Sequence, residues 1–483
     1  MKHTLKQVCV AWLLMPVVFS CATYNNKMNG YYAGIRQGDY RGADNRLSGN
    51  RFLQQDRNRL LFYFEKGKLY HMLGLYDSSN LYFNLADKFI ESKRITTGDV
   101  IVSNLLNPMV QAYLGEDHER FLVHYYKALN YLYMGSVDDA VVEARRITLS
   151  TNALEQKFKP NANRYTEDAF ALIVQAMIYE VAGDINNAFI AYRNATDLFL
   201  AAPGATYYGV HIPEQLQMDL LRTADLLGFA DQLEIYQKKL KRTFTKKEAT
   251  EGGEVIVFFE RGMGPVKTEQ NFILTQNGNG SSDFIFTSQY GVLNIPFDYS
   301  YTNRSRSAIS LNKFRTVRVA IPSYITQLYS MTSASVIING QKLYTELAED
   351  INTIAPAILR ERIVKEVSSA LVRQVVKKLA EFGATDAAKG ISKSSSKEKS
   401  ESKKEANAEA IGLAAGLLVN IFNTATEKAD TRNWQTLPAF IQYVRVPLQK
   451  GENVITLQAG RYSKTITLQG TGKVQMYNWS ILR

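Results

Sequence analysis

The sequence predicts an α+β protein: an irregular array of helical hairpins, followed by a module with a small, mostly antiparallel sheet and a long helix. Three observations carry this expectation. A pattern of small and aromatic residues around a turn glycine occurs three times, about Gly74, Gly135 and Gly183. After Glu251-Gly252-Gly253 the texture changes to short β-branched and aromatic runs separated by turn residues. Helical periodicity returns once, from Leu343 to Phe382, before strand texture resumes to the end. A chain of 483 residues with 46% hydrophobic and 11% aromatic content has enough apolar material for two or three folded units.

In chain order, the first element is an export signal over residues 1–20. Lys2 and Lys6 precede the apolar run Val8–Phe19, which is too short to span a bilayer. The run ends in Val18-Phe19-Ser20-Cys21, which resembles a bacterial lipobox and makes Cys21 the expected lipidation site. The chain has two cysteines, and Cys9 leaves with the signal, so no disulfide is expected. Ala22 and the non-acidic residues after it point to the outer membrane, facing the periplasm. Residues 21–50 are polar and glycine-containing, and read as a tether.

The hairpins are expected within residues 51–250. Seven residues before each turn glycine stands Gly67, Ala128 or Ala176; four before it, Tyr70, Tyr131 or Tyr179. Five after it comes Ser79, Ala140 or Ala188, and nine after it Phe83, Ala144 or Tyr192. Small residues let paired helices approach, and aromatics fill the grooves between neighbours, as in a tetratricopeptide-type repeat. The turn glycines are 61 and 48 residues apart, against about 34 in regular arrays, so extra segments separate the repeats. A fourth hairpin around Gly228 keeps the turn and reads as a cap.

Residues 251–483 form the predicted α+β module. Strands are expected at Glu254–Phe259, Val266–Gln276, Asp283–Thr287, Tyr290–Ile295 and Arg315–Ile321. Ile354, Ile358, Val364, Val367, Leu371, Val375 and Leu379 give the long helix its apolar stripe. The lysine- and serine-rich stretch 389–406 reads as a flexible charged loop, and Ile411–Phe422 as a buried helix too short to cross a membrane. Four closing strands are expected at Phe440–Leu448, Val454–Leu457, Lys464–Leu468 and Val474–Trp479, paired with the middle ones. The alternation of Ile441, Tyr443 and Arg445 with Gln442, Val444 and Val446 does not say which face is buried.

Three stretches together, GEDHERFLVHYYKALNYLYMGSVDDAVVEARR (115–146), GEVIVFFERGMGPVKTE (253–269) and ATEKADTRNWQTLPAFIQYVRVPLQKGENV (425–454), resemble a family of bacterial envelope lipoproteins with degenerate tetratricopeptide repeats. The resemblance covers most of the chain, apart from the run at 389–405, which looks like an insertion. No reaction or ligand is established for that family. Its genes often lie near an outer-membrane lipoprotein that activates a peptidoglycan synthase, so the resemblance implies work in the envelope.

Neither a metal, a cofactor nor an enzymatic activity is expected. The histidines at 3, 71, 118, 124 and 211 have no metal-ligand spacing, and no G-x-S-x-G elbow is present. Two clusters are candidates for partner binding. Glu116, Glu119, Tyr131, Arg145 and Arg146 belong to the middle hairpin. Acids opening one helix and arginines closing the other suit both dipoles and would face each other as ion pairs, or form a recognition surface. Asp430, Arg432 and Trp434 precede a strand, where the indole would either stack on a sugar or anchor the sheet to the helices. The net charge of +11 fits an anionic membrane or glycan, and export makes nucleic acid an unsuitable partner. The expected function is an outer-membrane lipoprotein that binds envelope proteins through the concave face of its array, held to the membrane by the lipid on Cys21. The alternative is a protein that binds or modifies peptidoglycan or another glycan.

Overall fold

A computed structural model describes residues 24–93, 109, 111–157, 165–246, 248, 250–276, 283–288, 291–296, 316–327, 334–362 and 428–483. The predicted signal, Cys21, the loop at 389–406, the helix 411–422 and the later part of the long helix lie outside the described residues. The chain is α+β, with helices in the N-terminal half and small sheets towards the C-terminus.

The expected tether is instead structured from Tyr24 onward. Residues Tyr24–Gln37 form helix α1 and Tyr40–Ser48 form α2. The cause is an apolar stripe at helical spacing (Tyr24, Met28, Tyr31, Tyr32, Ile35), all buried in the main core. Asp39 caps α2, its side chain accepting from the Gly42 amide.

Four hairpins follow: α3 (Arg59–Met72) with α4 (Tyr76–Ser92), α5 (Asp117–Tyr133) with α6 (Val137–Lys157), α7 (Ala169–Val181) with α8 (Ile185–Ala201), and α9 (Glu214–Leu226) with α10 (Ala230–Leu240). Gly74, Gly135, Gly183 and Gly228 hold left-handed φ values of 75°, 78°, 77° and 68°. The residue after each glycine donates its amide to the carbonyl of Tyr70, Tyr131, Tyr179 or Ala224, at 2.8–3.0 Å. That six-to-one bond closes the helix end and needs the glycine's positive φ. The tyrosine positions thus mark the last full turn of each first helix. Between α8 and α9 runs a two-residue hairpin, β1 (Thr206–Tyr207) and β2 (Val210–His211).

Among the described residues, three four-stranded sheets follow. The first has the order β10 (Glu346–Asp350), β11 (Pro438–Pro447), β3 (Glu254–Met263), β14 (Val474–Ile481); its β14 runs parallel to β3, while the other pairings among the described strands are antiparallel. The second has β13 (Tyr462–Gly470), β12 (Gly451–Ala459), β8 (Ala334–Ile338) and β9 (Gln341–Tyr344). The third has β6 (Gly291–Pro296), β5 (Asp283–Ser288), β4 (Val266–Gln276) and β7 (Thr316–Ile325). The start of the expected long helix is corrected: residues 341–344 and 346–350 are strands, and residues 351–362 are helical. Pairing of Glu346–Asp350 with Phe440–Tyr443 overrides the local helical period.

The first sheet is buried on both faces. Ile256, Phe258, Ile441, Tyr443 and Met476 join the core that runs back through the helices to Tyr24. Val255, Val257, Phe259, Val444 and Val446 pack against Val336, Ile338, Ile455 and Leu457 of the second sheet. Helices, first sheet and second sheet are therefore three successive layers. This resolves the ambiguous alternation of β11, because neither of its faces meets water. It also means that packing does not stop at residue 250, where the strand texture begins.

Candidate functional site

Most of the polar side chains that join helices to the first sheet come from the first helices of the hairpins, and many are charged or phenolic. Glu260, on the helix-facing side of β3, is 0% exposed. It accepts from Lys68 on α3, from Tyr125 (3.0 Å) and Tyr126 (3.2 Å) on α5, and from Ser480 and Asn478 on β14. Burial, the largest influence, raises the Glu260 carboxyl, but the Lys68 charge together with the hydrogen bonds the carboxylate accepts outweighs burial and holds the group at about 2. Burial, followed by the Lys68 charge, lowers His71 to about 4, so its ring is neutral. Its Nδ1 donates to Asn130 Oδ1 (2.6 Å), and its Nε2 accepts from Asn478 (2.9 Å). Asn130 passes the chain on to Ser79, whose hydroxyl donates to the Gly67 carbonyl (2.7 Å). The network settles one tautomer of His71 and spans both halves of the chain.

A second cluster centres on residues 428–437. Arg432 forks onto Asp430 and donates through Nη1 to the carbonyls of Arg57 (2.7 Å) and Gln111 (3.0 Å). The Trp434 indole stacks on Phe64 at 4.7 Å, its Nε1 donates to Thr436 (2.9 Å), and its backbone N–H donates to Glu119 Oε1 (2.6 Å). Glu119 also accepts from Tyr113 and from the Glu116 amide. Burial, then the Glu116 charge, pushes its carboxyl up to about 7. Glu116 pairs with Lys267 (2.6 Å) on β4 and Arg362 (2.8 Å). At the far end of the sheet Glu180, Asp219, Arg222 and Arg445 form a third ionic group.

The expected facing of Glu116 and Glu119 by Arg145 and Arg146 is therefore corrected. The acids turn to the sheet, while Arg146 reaches Asp87 on α4 (3.0 Å) and Arg145 lies exposed beside Tyr179. Tyr131 is half-buried at the end of α5. Asp430, Arg432 and Trp434 do come together, as an internal anchor. At 1% exposure Trp434 has no face open to a sugar. Sequence reasoning missed Glu65, Lys68 and Glu260, whose burial depends on partners far along the chain.

Two arrangements bear on chemistry. Ser150 Oγ lies 3.4 Å from His124 Nε2, and His124 Nδ1 lies 2.8 Å from Glu143, the connectivity of a nucleophile–base–acid triad. Ser150 sits inside α6, however, where backbone amides are committed to the helical ladder and supply no oxyanion donor pair. Lys127 also takes the Glu143 carboxylate (2.9 Å). The set reads as a helix–helix tie. The other arrangement is a cleft of about 830 Å³ between the end of α8, the β1–β2 hairpin and the helix 351–362. Among the described residues, no group of three or more His, Cys, Asp or Glu side chains is placed to hold a metal.

The outer side of the array is different in character. Leu81 on α4 and Val142 and Leu149 on α6 are exposed, on helices tied together by the Arg146–Asp87 bond. Neither a protein-family model nor a curated protein matches the sequence.

Proposed function

We propose that this chain is a lipid-anchored scaffold of the bacterial cell envelope, built from tetratricopeptide-like hairpins, that binds an envelope protein through the outer faces of its second helices. What carries the reading is the equivalence of the hairpins. Gly67, Ala128 and Ala176 are buried on the first helices, and Ser79, Ala140 and Ala188 on the second. A Cβ at Gly67 would come within 2.6 Å of the Phe83 ring, so the small residue sets how closely α3 and α4 approach. In such arrays the first helices line the binding groove, but here the chain's own first sheet fills that side. The surface left for a partner is the outer one, with Leu81, Val142, Leu149 and the cationic Arg145.

The address rests on Lys2, Lys6 and Val18-Phe19-Ser20-Cys21. The role is one of binding, with no reaction assigned. A photo-crosslinking amino acid placed in cells at Leu81 or Leu149 should capture one reproducible envelope protein. Capture of no protein above the level seen at buried Ala144 would refute the outer-face reading. Cys21→Ala should abolish incorporation of a fatty-acid probe, and persistent labelling would refute the anchor.

A further inference from the structure

The cleft beside β1–β2 is bordered by unusual backbone. Gly204 and Ala205 take φ of 63° and 52°, and Tyr208 and Gly209 take 43° and 85°. The second pair is the two-residue turn of the β1–β2 hairpin, with Tyr207 opposite Val210. Left-handed backbone costs a residue with a side chain about 1–2 kcal/mol, and asparagine or glycine would serve the turn at Tyr208 more cheaply. The surroundings compensate. Tyr208 donates its hydroxyl to Glu361 Oε1 at 2.7 Å, and its ring meets Tyr207 edge-on at 4.7 Å and Tyr165 at 5.5 Å. Tyr207 in turn donates to the Glu167 carbonyl at 2.9 Å. Strain maintained in this way points to a position at which the side chain is needed.

The walls then define the ligand. Leu198, Ala202, Pro203 and Ala357 give a floor of small apolar groups beside the two tyrosines. Glu361 is already engaged, by Tyr208 and by the Tyr165 amide (3.0 Å). Arg360 is exposed on the rim and has no bonded partner among the described residues. Glu167, also on the lining, is half-buried. A sugar would want several neutral donors and acceptors around its ring, and beyond the charged groups and tyrosines the lining offers the Thr166 and Thr206 side chains. A volume of about 830 Å³ is within the usual range for ligand sites.

We infer that this cleft binds the end of a peptide, taking a free α-carboxylate on Arg360 and small apolar side chains on Leu198, Ala202 and Ala357. The guanidinium fork matches a carboxylate two-pronged, and the peptide's amides meet Glu167 and the threonine hydroxyls. The cleft lies on different elements from Leu81 and Leu149, so the inference stands or falls apart from the outer-face reading.

The test uses the full chain in detergent and an array of octapeptides with randomised C-terminal residues, each present as free acid and as amide. Free acids ending in small apolar residues should be retained, and the best of them, fluorescein-labelled, should bind at least about tenfold more tightly than its amide. Arg360→Gln, at an exposed position, should erase that preference, and Ala202→Trp should block the floor. Arg51→Gln, at an exposed position after α2, should change nothing. Equal binding of acid and amide would overturn the inference, as would unchanged affinity in Arg360→Gln. So would tighter binding of a chitin tetrasaccharide that Arg360→Gln leaves intact, because that result gives the cleft to sugars. If Ala202→Trp lowers the melting temperature, Arg360→Gln alone decides.

Discussion

Glu65 offers the sharpest test of the seam between helices and sheet. It is 0% exposed on α3 and faces Tyr31 and Tyr32 of α1 and Thr436 of the anchoring segment. Burial raises its carboxyl from 4.5 to about 7, against the pull of those three hydroxyls. A raised folded value means that the folded chain holds the proton more tightly than the unfolded one. Stability from this group is therefore full below pH 4.5 and is lost as pH rises through 7. At 1.36 kcal/mol per unit, the rise from 4.5 to about 7 amounts to a loss of about 3 kcal/mol at pH 8. Glu65→Gln copies the protonated acid. The amide nitrogen donates to the Tyr32 oxygen, Tyr32 turns its hydroxyl to Tyr24 (2.9 Å), and Tyr24 donates to the Asn433 carbonyl (3.2 Å). The amide oxygen keeps the bonds from Tyr31 and Thr436. Urea unfolding should show near-equal stabilities at pH 5 and a gain for the variant of about 1–3 kcal/mol at pH 8. Glu119, also raised to about 7, is present in both proteins and cancels. A variant less stable than the parent at pH 8, or one that differs equally at both pH values, would refute the argument.

Lys68→Met should cost about 3–5 kcal/mol by denaturant unfolding, because it strands the Glu260 carboxylate in the seam. Adding Glu260→Gln should recover part of that loss, and a single-variant cost below about 1 kcal/mol would show that the pair is not the tie described. Gly67→Ala should cost about 1–3 kcal/mol through its clash with Phe83, whereas Gly135→Ala, with open space at its Cβ, should cost about 1–2 kcal/mol through its φ alone. Thermal melts in a Phe83→Leu background separate the two causes: relief at 67 without relief at 135 is expected, and equal behaviour would refute the distinction.

What was legible in the sequence follows from how local each signal is. The hairpin turns were readable because a Schellman-type end needs its glycine and the carbonyl four positions before it, all within six residues. Strand β4 was readable end to end for the same reason. The stripe Tyr24, Met28, Tyr31, Ile35 was there to be read too, but polar neighbours hid it behind a tether. Asn339-Gly340, at φ of 50° and 75°, is a hairpin signal that the helical period from Leu343 onward obscured; the strand β10 beside it exists only through β11, nearly a hundred residues on. The candidate site was the least legible part. A glutamate on a helix face reads as solvated unless its cation is known, and Lys68 and Glu260 are 192 residues apart. That separation has a functional consequence. The charged and aromatic residues of the first helices, which in a free repeat array would face a partner, are satisfied by the chain's own strands. The sheet thus stands on the side that a ligand of a free array would occupy, and the surfaces proposed for recognition are accordingly the outer helices and the cleft at Arg360, where side chains stay exposed.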